Sequence, residues 1–194
     1  MNEKERRALR KSKIRARDSL RPEERRRSSQ LIVERILSSE VYQKSKTILI
    51  YRATRGEVVL DALEEAENEG GKKLAYPLCI SNTDMIALCP HGEDAWVEGH
   101  FGIWEPVPEK SEKIAPWDID LVVCPCTVFD ERGGRMGMGA GYYDRYLEKC
   151  RYAHVVSVAF ETQKADYVPM ESWDKPMEMV FTEDAVYMDG KGRK

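Results

Sequence analysis

Three observations predict an α/β fold. Short apolar runs alternate with helical stretches along the chain, one run from Ile119 to Cys124 is uncharged after Asp120, and 194 residues suit one core rather than two. The expected architecture is a three-layer αβα sandwich around a mostly parallel, Rossmann-like sheet. One domain is expected over residues 1–187, its basic N-terminal helices over 4–38 included, followed by a flexible tail at 188–194.

Residues 4 to 18 have helix-forming composition, so charged that this first helix belongs at the surface near a site. Pro22 opens a second helix with Glu23 and Glu24 at the positive end of its dipole; Leu31, Ile32, Ile36 and Leu37 form its sheet-facing side. Thr47 to Tyr51 is the first strand. A polar turn, Arg52 to Gly56, precedes an amphipathic helix over Val58 to Asn68 that Gly70-Gly71 closes. Lys73 to Tyr76 and Met85 to Cys89 read as the next strands. His91 to Trp117, rich in Gly, Pro and Trp, reads as an irregular loop, a kind more often functional than idle. Ile119 to Cys124 is the buried central strand. A glycine-rich segment and a helix over Tyr142 to Lys149 follow, then strands at His154 to Phe160 and Glu178 to Phe181, with Pro169 in the loop between them.

Composition narrows the function classes. No run approaches the eighteen apolar residues of a membrane span, and MNEKERRALR lacks the apolar core of a signal peptide, so we expect a cytoplasmic protein with no membrane partner. The five cysteines are odd in number, and Cys124-Pro125-Cys126 has neither redox nor zinc spacing; buried reduced thiols are expected. Residues 4 to 27 carry twelve Lys/Arg against four Asp/Glu, within a chain of net charge −3. A nucleic-acid arm on this segment would lack aromatic residues for stacking and would face repulsion from the acidic remainder. A basic helix folded over a small anionic ligand fits better, with a solvated charged face as the alternative.

The segment Arg135-Met136-Gly137-Met138-Gly139-Ala140-Gly141-Tyr142-Tyr143-Asp144-Arg145 carries the chemistry. Alternate glycines let backbone N–H groups approach phosphate oxygens, and the helix that follows points its positive end at them. The G-x-G-x-G spacing excludes both the Walker loop and the dinucleotide fingerprint, and a glycine-rich turn packed on a neighbouring helix remains the structural alternative. Arg135 supplies a charged fork of donors, and Asp144 lies within reach of a phosphate-bound magnesium ion. In a parallel sheet, ligands sit at the carboxyl ends of the strands. That rule gathers Arg52 to Glu57, Pro125 to Gly141 and Glu161 to Asp174 on one rim.

These residues resemble the 5-formyltetrahydrofolate cyclo-ligase family, also called 5,10-methenyltetrahydrofolate synthetase. The likeness runs through Arg6-x-x-Leu9-Arg10, Tyr51 to Glu57, Gly102-Ile103, Glu105-Pro106, Asp120 to Pro125, Phe129-Asp130, the glycine segment with Tyr142-Tyr143-Asp144-Arg145, Ala159-Phe160 with Gln163, Pro169 with Asp174, and Thr182-Glu183. It implies ATP- and Mg2+-dependent conversion of 5-formyltetrahydrofolate to 5,10-methenyltetrahydrofolate, with release of ADP and phosphate. The formyl oxygen is phosphorylated, and N10 then attacks the activated carbon and expels phosphate.

The resemblance also implies roles. Arg6 and Arg10 hold ATP with the stretch Arg135, Met136, Gly137, Met138, Gly139, Ala140, Gly141, Tyr142 and Tyr143. Asp144 and Asp174 hold magnesium. Arg52 and Glu57 bind the folate, with Met138 to Tyr142 at the formyl group; Arg135 and Tyr142 are the catalytic candidates. The sequence departs from the family pattern at Arg6 (usually lysine), Arg52 (often apolar), Ala140 (lysine or glycine) and Trp173 (commonly small, polar or histidine). Trp104 and Trp117 are candidate walls of the folate pocket, with packing anchors as the alternative. Expected partners are 5-formyltetrahydrofolate, polyglutamylated or not, and ATP, with no nucleic acid and a monomeric chain. Two other functions stay open: a paralogue using the ATP site on another substrate, and an RNA-binding module built on residues 4 to 27.

Overall fold

The structure, a computed structural model, describes residues 2–54, 56–99, 102–171, 174–188 and 191–193; Trp173 lies outside these. The helices are α1 (Glu3–Asp18), α2 (Pro22–Leu37), α3 (Glu40–Lys44), α4 (Asp61–Gly70) and α5 (Tyr142–Leu147). Nine strands build one sheet: β1 (Thr47–Leu49), β2 (Lys73–Cys79), β3 (Met85–Pro90), β6 (Ser111–Ile114), β7 (Leu121–Pro125), β10 (His154–Val158), β11 (Met179–Phe181), β12 (Val186–Met188) and β13 (Lys191–Arg193). Two small ribbons stand apart, β4 (Trp96–Glu98) with β5 (Trp104–Pro106) and β8 (Val128–Phe129) with β9 (Arg135–Met136).

The sheet order is β13-β12-β11-β10-β7-β1-β2-β3-β6. Its five central strands, β11 to β2 in that order, pair in parallel, and antiparallel pairs extend both edges. The chain leaves β1 toward β2 on one side and returns through β7 on the other. The gap at the carboxyl ends of β1 and β7 is therefore the topological switch point, where a ligand crevice belongs in such sheets.

Side-chain alternation makes the three layers. Ile48, Ile50, Leu121, Val123, Val156 and Val158 point to the face covered by α2, α3 and α4, where Ile32, Val33, Ile36, Val41, Tyr42 and Leu63 are buried. Leu49, Val122, Cys124 and Val155 point to the face covered by α5 through Tyr146 and Leu147. A capping box between Asn2 and Glu5 starts α1, and Pro22 occupies the first turn of α2 with Glu23 and Glu24. Gly71 ends α4 in the left-handed region at φ +80°.

Several expectations are corrected. Leu31 is exposed at 37%, and Val33 takes its place in the core. The fourth helix starts at Asp61, not Val58: the Val58 carbonyl accepts from the Tyr51 hydroxyl and the Val59 N–H donates to Ser29 Oγ, so tertiary partners hold this backbone. The last helix has only six residues, so its dipole contributes less than an eight-residue helix would. The 91–117 stretch contains β4, β5 and β6; in β6 only Ile114 is buried, which leaves no apolar run to read. Lys191–Arg193 pairs with β12 where a flexible tail was expected, although Lys-Gly-Arg carries no strand signal. All five cysteines are free thiols, yet Cys79, at the end of β2, is exposed and Cys89, near the end of β3, is half-buried. Among the described residues, no helix is long and apolar enough to cross a membrane.

Candidate active site

The switch point opens into a cavity of about 430 Å³, within the range of small-molecule sites. Tyr51, Cys126 and Thr127 line it from the ends of β1 and β7. Tyr51 is buried and donates its hydroxyl to the Val58 carbonyl at 2.9 Å; burial pushes its phenol well above the ordinary tyrosine value. Buried Gln163 fixes the backbone beyond β7 by donating Nε2 to the carbonyls of Cys126 (2.7 Å) and Thr127 (3.1 Å).

The glycine segment enters from β9, and the buried Asp130 sets that ribbon. Asp130 accepts from the backbone N–H groups of Arg132 (2.9 Å), Gly134 (3.0 Å) and Val168 (2.8 Å). Arg135, 5% exposed, donates Nη2 to Asp144 Oδ1 at 2.6 Å and Nη1 to the Pro125 carbonyl at 3.3 Å. Its Nε and the Tyr143 hydroxyl are buried without a hydrogen-bond partner among the described residues, and burial raises the Tyr143 phenol well above its ordinary value. Gly139 adopts φ +104°, a conformation that L side chains rarely take, beside the Arg10 guanidinium.

Helix α1 lies against this segment. Arg10 donates Nε to the Gly137 carbonyl at 3.1 Å, and Arg6 donates Nη1 to the Pro169 carbonyl at 3.0 Å. Arg6 also pairs with Glu171 at 3.1 Å and Asp174 at 3.7 Å. Lys13 anchors the next turn on the carbonyls of Thr162 and Lys164, and Leu9 packs on the cluster of Val128, Met136 and Val168. On its outer side, α1 continues the basic surface through Arg7, Lys11 and Arg15.

The remaining lining comes from the chain after β1, from β2 and from β5. Glu57 accepts the Thr54 N–H at 3.0 Å. Arg52 pairs with Glu64 at 2.8 Å and stacks over Trp96 and Tyr76, 4.5 and 5.3 Å from the ring centroids. Burial raises the Glu64 carboxyl above its ordinary value, against the pull of Arg52. Tyr142 donates its hydroxyl to the Ser81 carbonyl at 3.0 Å and carries Arg145 over its ring. Trp104 also lines the cavity, whereas Trp117 stands exposed outside it.

The structure thus gathers Arg6, Arg10, Arg52, Glu57, every residue from Arg135 to Asp144, and Asp174 around one cavity. The 5-formyltetrahydrofolate cyclo-ligase family model matches residues 2–183. The chain belongs to the 5-formyltetrahydrofolate cyclo-ligase family.

Within this family of ligases, the 5-formyltetrahydrofolate cyclo-ligase of Escherichia coli (strain K12) is 27% identical over 175 residues, 88% of this chain and 96% of its own. That of Mus musculus is 29% identical over 190 residues, 92% of each. The NMR structure of Aquifex aeolicus 5,10-methenyltetrahydrofolate synthetase superposes with a TM-score of 0.83 and 34% identity, covering 96% of this chain and 94% of that one. The site adds lining residues that sequence reasoning did not single out, Tyr76, Pro77 and Cys79. Their signal was positional: they end or follow strands beside the switch point.

Proposed function

We propose that this member of the family converts 5-formyltetrahydrofolate to 5,10-methenyltetrahydrofolate with ATP and Mg2+, releasing ADP and phosphate. It acts, on this reading, as a cytoplasmic monomer. The observation that carries the proposal is the meeting of Arg6, Arg10, Arg135, Asp144, Asp174 and the glycine segment with Glu57, Tyr142 and Tyr143 in one cavity.

A formamide oxygen is a poor leaving group. Its attack on the γ-phosphorus breaks the bond to ADP and leaves a phosphate ester on the formyl carbon. N10 then bonds to that carbon and gives up its proton, and the C–O bond breaks with departure of phosphate. Such chemistry asks mainly for positioning and charge neutralisation. Arg6 and Arg10 meet the phosphate chain from α1. Arg135 offers the transferring group a buried charge whose Nε has no partner among the described residues.

Asp144 and Asp174 suit magnesium: each is an oxygen donor on the same cavity, held by an arginine through one oxygen. Two carboxylates would leave most of magnesium's positions to other oxygens, as its reluctance to shed water favours. Bound there, Mg2+ supplies charge neutralisation to the β- and γ-phosphates. Glu57 accepts hydrogen bonds from the pterin's amino and ring N–H groups. Tyr142 offers its ring, its hydroxyl being spent on Ser81.

Phosphate release measured with and without 5-formyltetrahydrofolate tests the reading. One phosphate per folate consumed supports it; folate-independent release contradicts it and favours another substrate.

A further inference from the structure

Among the described residues the cavity holds four carboxylates, and three have partners. Asp144 is paired with Arg135, Asp174 with Arg6, and Glu57 accepts the Thr54 N–H. Glu105 also lines the cavity, half-buried on β5 between Trp104 and Pro106, and has no hydrogen-bond or ion-pair partner among the described residues. Its oxygens are not among the buried unpartnered atoms, so they stay open to the cavity, where a donor carried by a ligand can reach them.

A Cβ on Gly99, across the ribbon in β4's continuation, would collide with the Glu105 carboxyl. The backbone of Gly99 is tied to β5 by its N–H to the Ile103 carbonyl at 2.8 Å. Gly99 therefore serves space here, leaving a niche that the carboxyl group fills. Cys79 lies beside it on β2: burial, and then the negative charge of Glu105, push this thiol up. Ile103 and Trp104 line the cavity next to it. The result is a negative acceptor set in an apolar wall, away in sequence from the arginines of α1 and the glycine segment.

We infer that Glu105 is a second substrate-reading carboxylate, accepting an N–H donor of the reduced pteridine that Glu57 leaves unpaired. The inference rests on the cyclo-ligase reading, since it takes its ligand from that reaction. A reduced pterin offers more donors than one carboxylate can accept: the 2-amino group, N3–H, N8–H and, on the bridge, N10–H. Two carboxylates on one cavity divide that set, and phosphate, which donates little and repels them, is directed to the arginines.

The experiment compares wild type with E105Q and E105A in steady-state turnover, and titrates each with 5-formyltetrahydrofolate and separately with ATP. E105Q keeps the shape of the side chain and guards against a folding artefact. Losing a charged acceptor should raise KM and Kd for 5-formyltetrahydrofolate about 10- to 100-fold, with ATP affinity unchanged and kcat less affected than KM. Unchanged folate affinity in both variants overturns the assignment, as does an equal loss for ATP, which would mark a merely structural role. Wild-type protein that binds ATP but neither binds nor converts 5-formyltetrahydrofolate overturns the reading beneath it, and the two failures are thereby told apart.

Discussion

Arg135 and Asp144, at opposite ends of the glycine segment, meet in a 2.6 Å ion pair that ties the segment into a ring. The arginine is buried and the carboxylate partly open to the cavity, so the pair couples loop shape to the binding surface. Arg135→Met removes the clamp and leaves a carboxylate without its counter-charge. We expect a stability loss of about 2 kcal/mol and a fall in kcat/KM of at least tenfold. Urea denaturation and initial rates check the two parts.

Arg6 and Arg10 stand at the edge of the cavity, each donating to a backbone carbonyl of a neighbouring segment. Arg6→Ala and Arg10→Ala should each raise KM for ATP about tenfold while leaving KM for the folate near wild type. The defect should shrink as added salt weakens the wild-type attraction. Rates over a salt series at fixed folate measure it.

Asp130 carries no predicted chemistry, yet three buried or half-buried backbone N–H groups depend on it. Asp130→Ala orphans them together and should destabilise the protein by about 3 kcal/mol. A drop in the urea midpoint with an unchanged slope is the expected signature.

Glu161 gives a pH prediction. Burial raises its carboxyl, but hydrogen bonds from Lys164, Tyr187 and Thr182 outweigh this, and its value ends below the ordinary 4.5. A carboxyl lowered by folding contributes stability above its unfolded value, and that contribution is lost as pH falls through the folded one. Glu161→Gln should therefore melt lower than wild type at pH 7, and the difference should vanish as pH falls below about 4.5. Thermal melts of both proteins from pH 7 to pH 3 measure it.

Local signals made much of this legible in the sequence. The apolar run ending at Cys124, the Pro22 start of α2 and the Gly71 stop of α4 each state a backbone preference that the fold keeps. The glycine segment and its flanking Arg135 and Asp144 announced themselves by composition. Other features depend on partners far away in sequence. The β4–β5 ribbon and β6 are set by pairing, not by apolar runs, so the 91–117 stretch read as irregular. Leu31 and Val33 differ by 200° around a helix, and only packing shows which of them faces the sheet. Glu105 was visible as part of a Glu-Pro pair, but its place on the cavity wall without a partner among the described residues emerges only from the fold.

The most direct measurement mixes the protein with 5-formyltetrahydrofolate, ATP and Mg2+ and follows the absorbance of 5,10-methenyltetrahydrofolate, beside an ATP-free control and an Asp144→Asn variant. Product in the complete mixture alone, strongly reduced in the variant, is the predicted result. Folded, ATP-binding protein that forms no methenyl product would contradict the account.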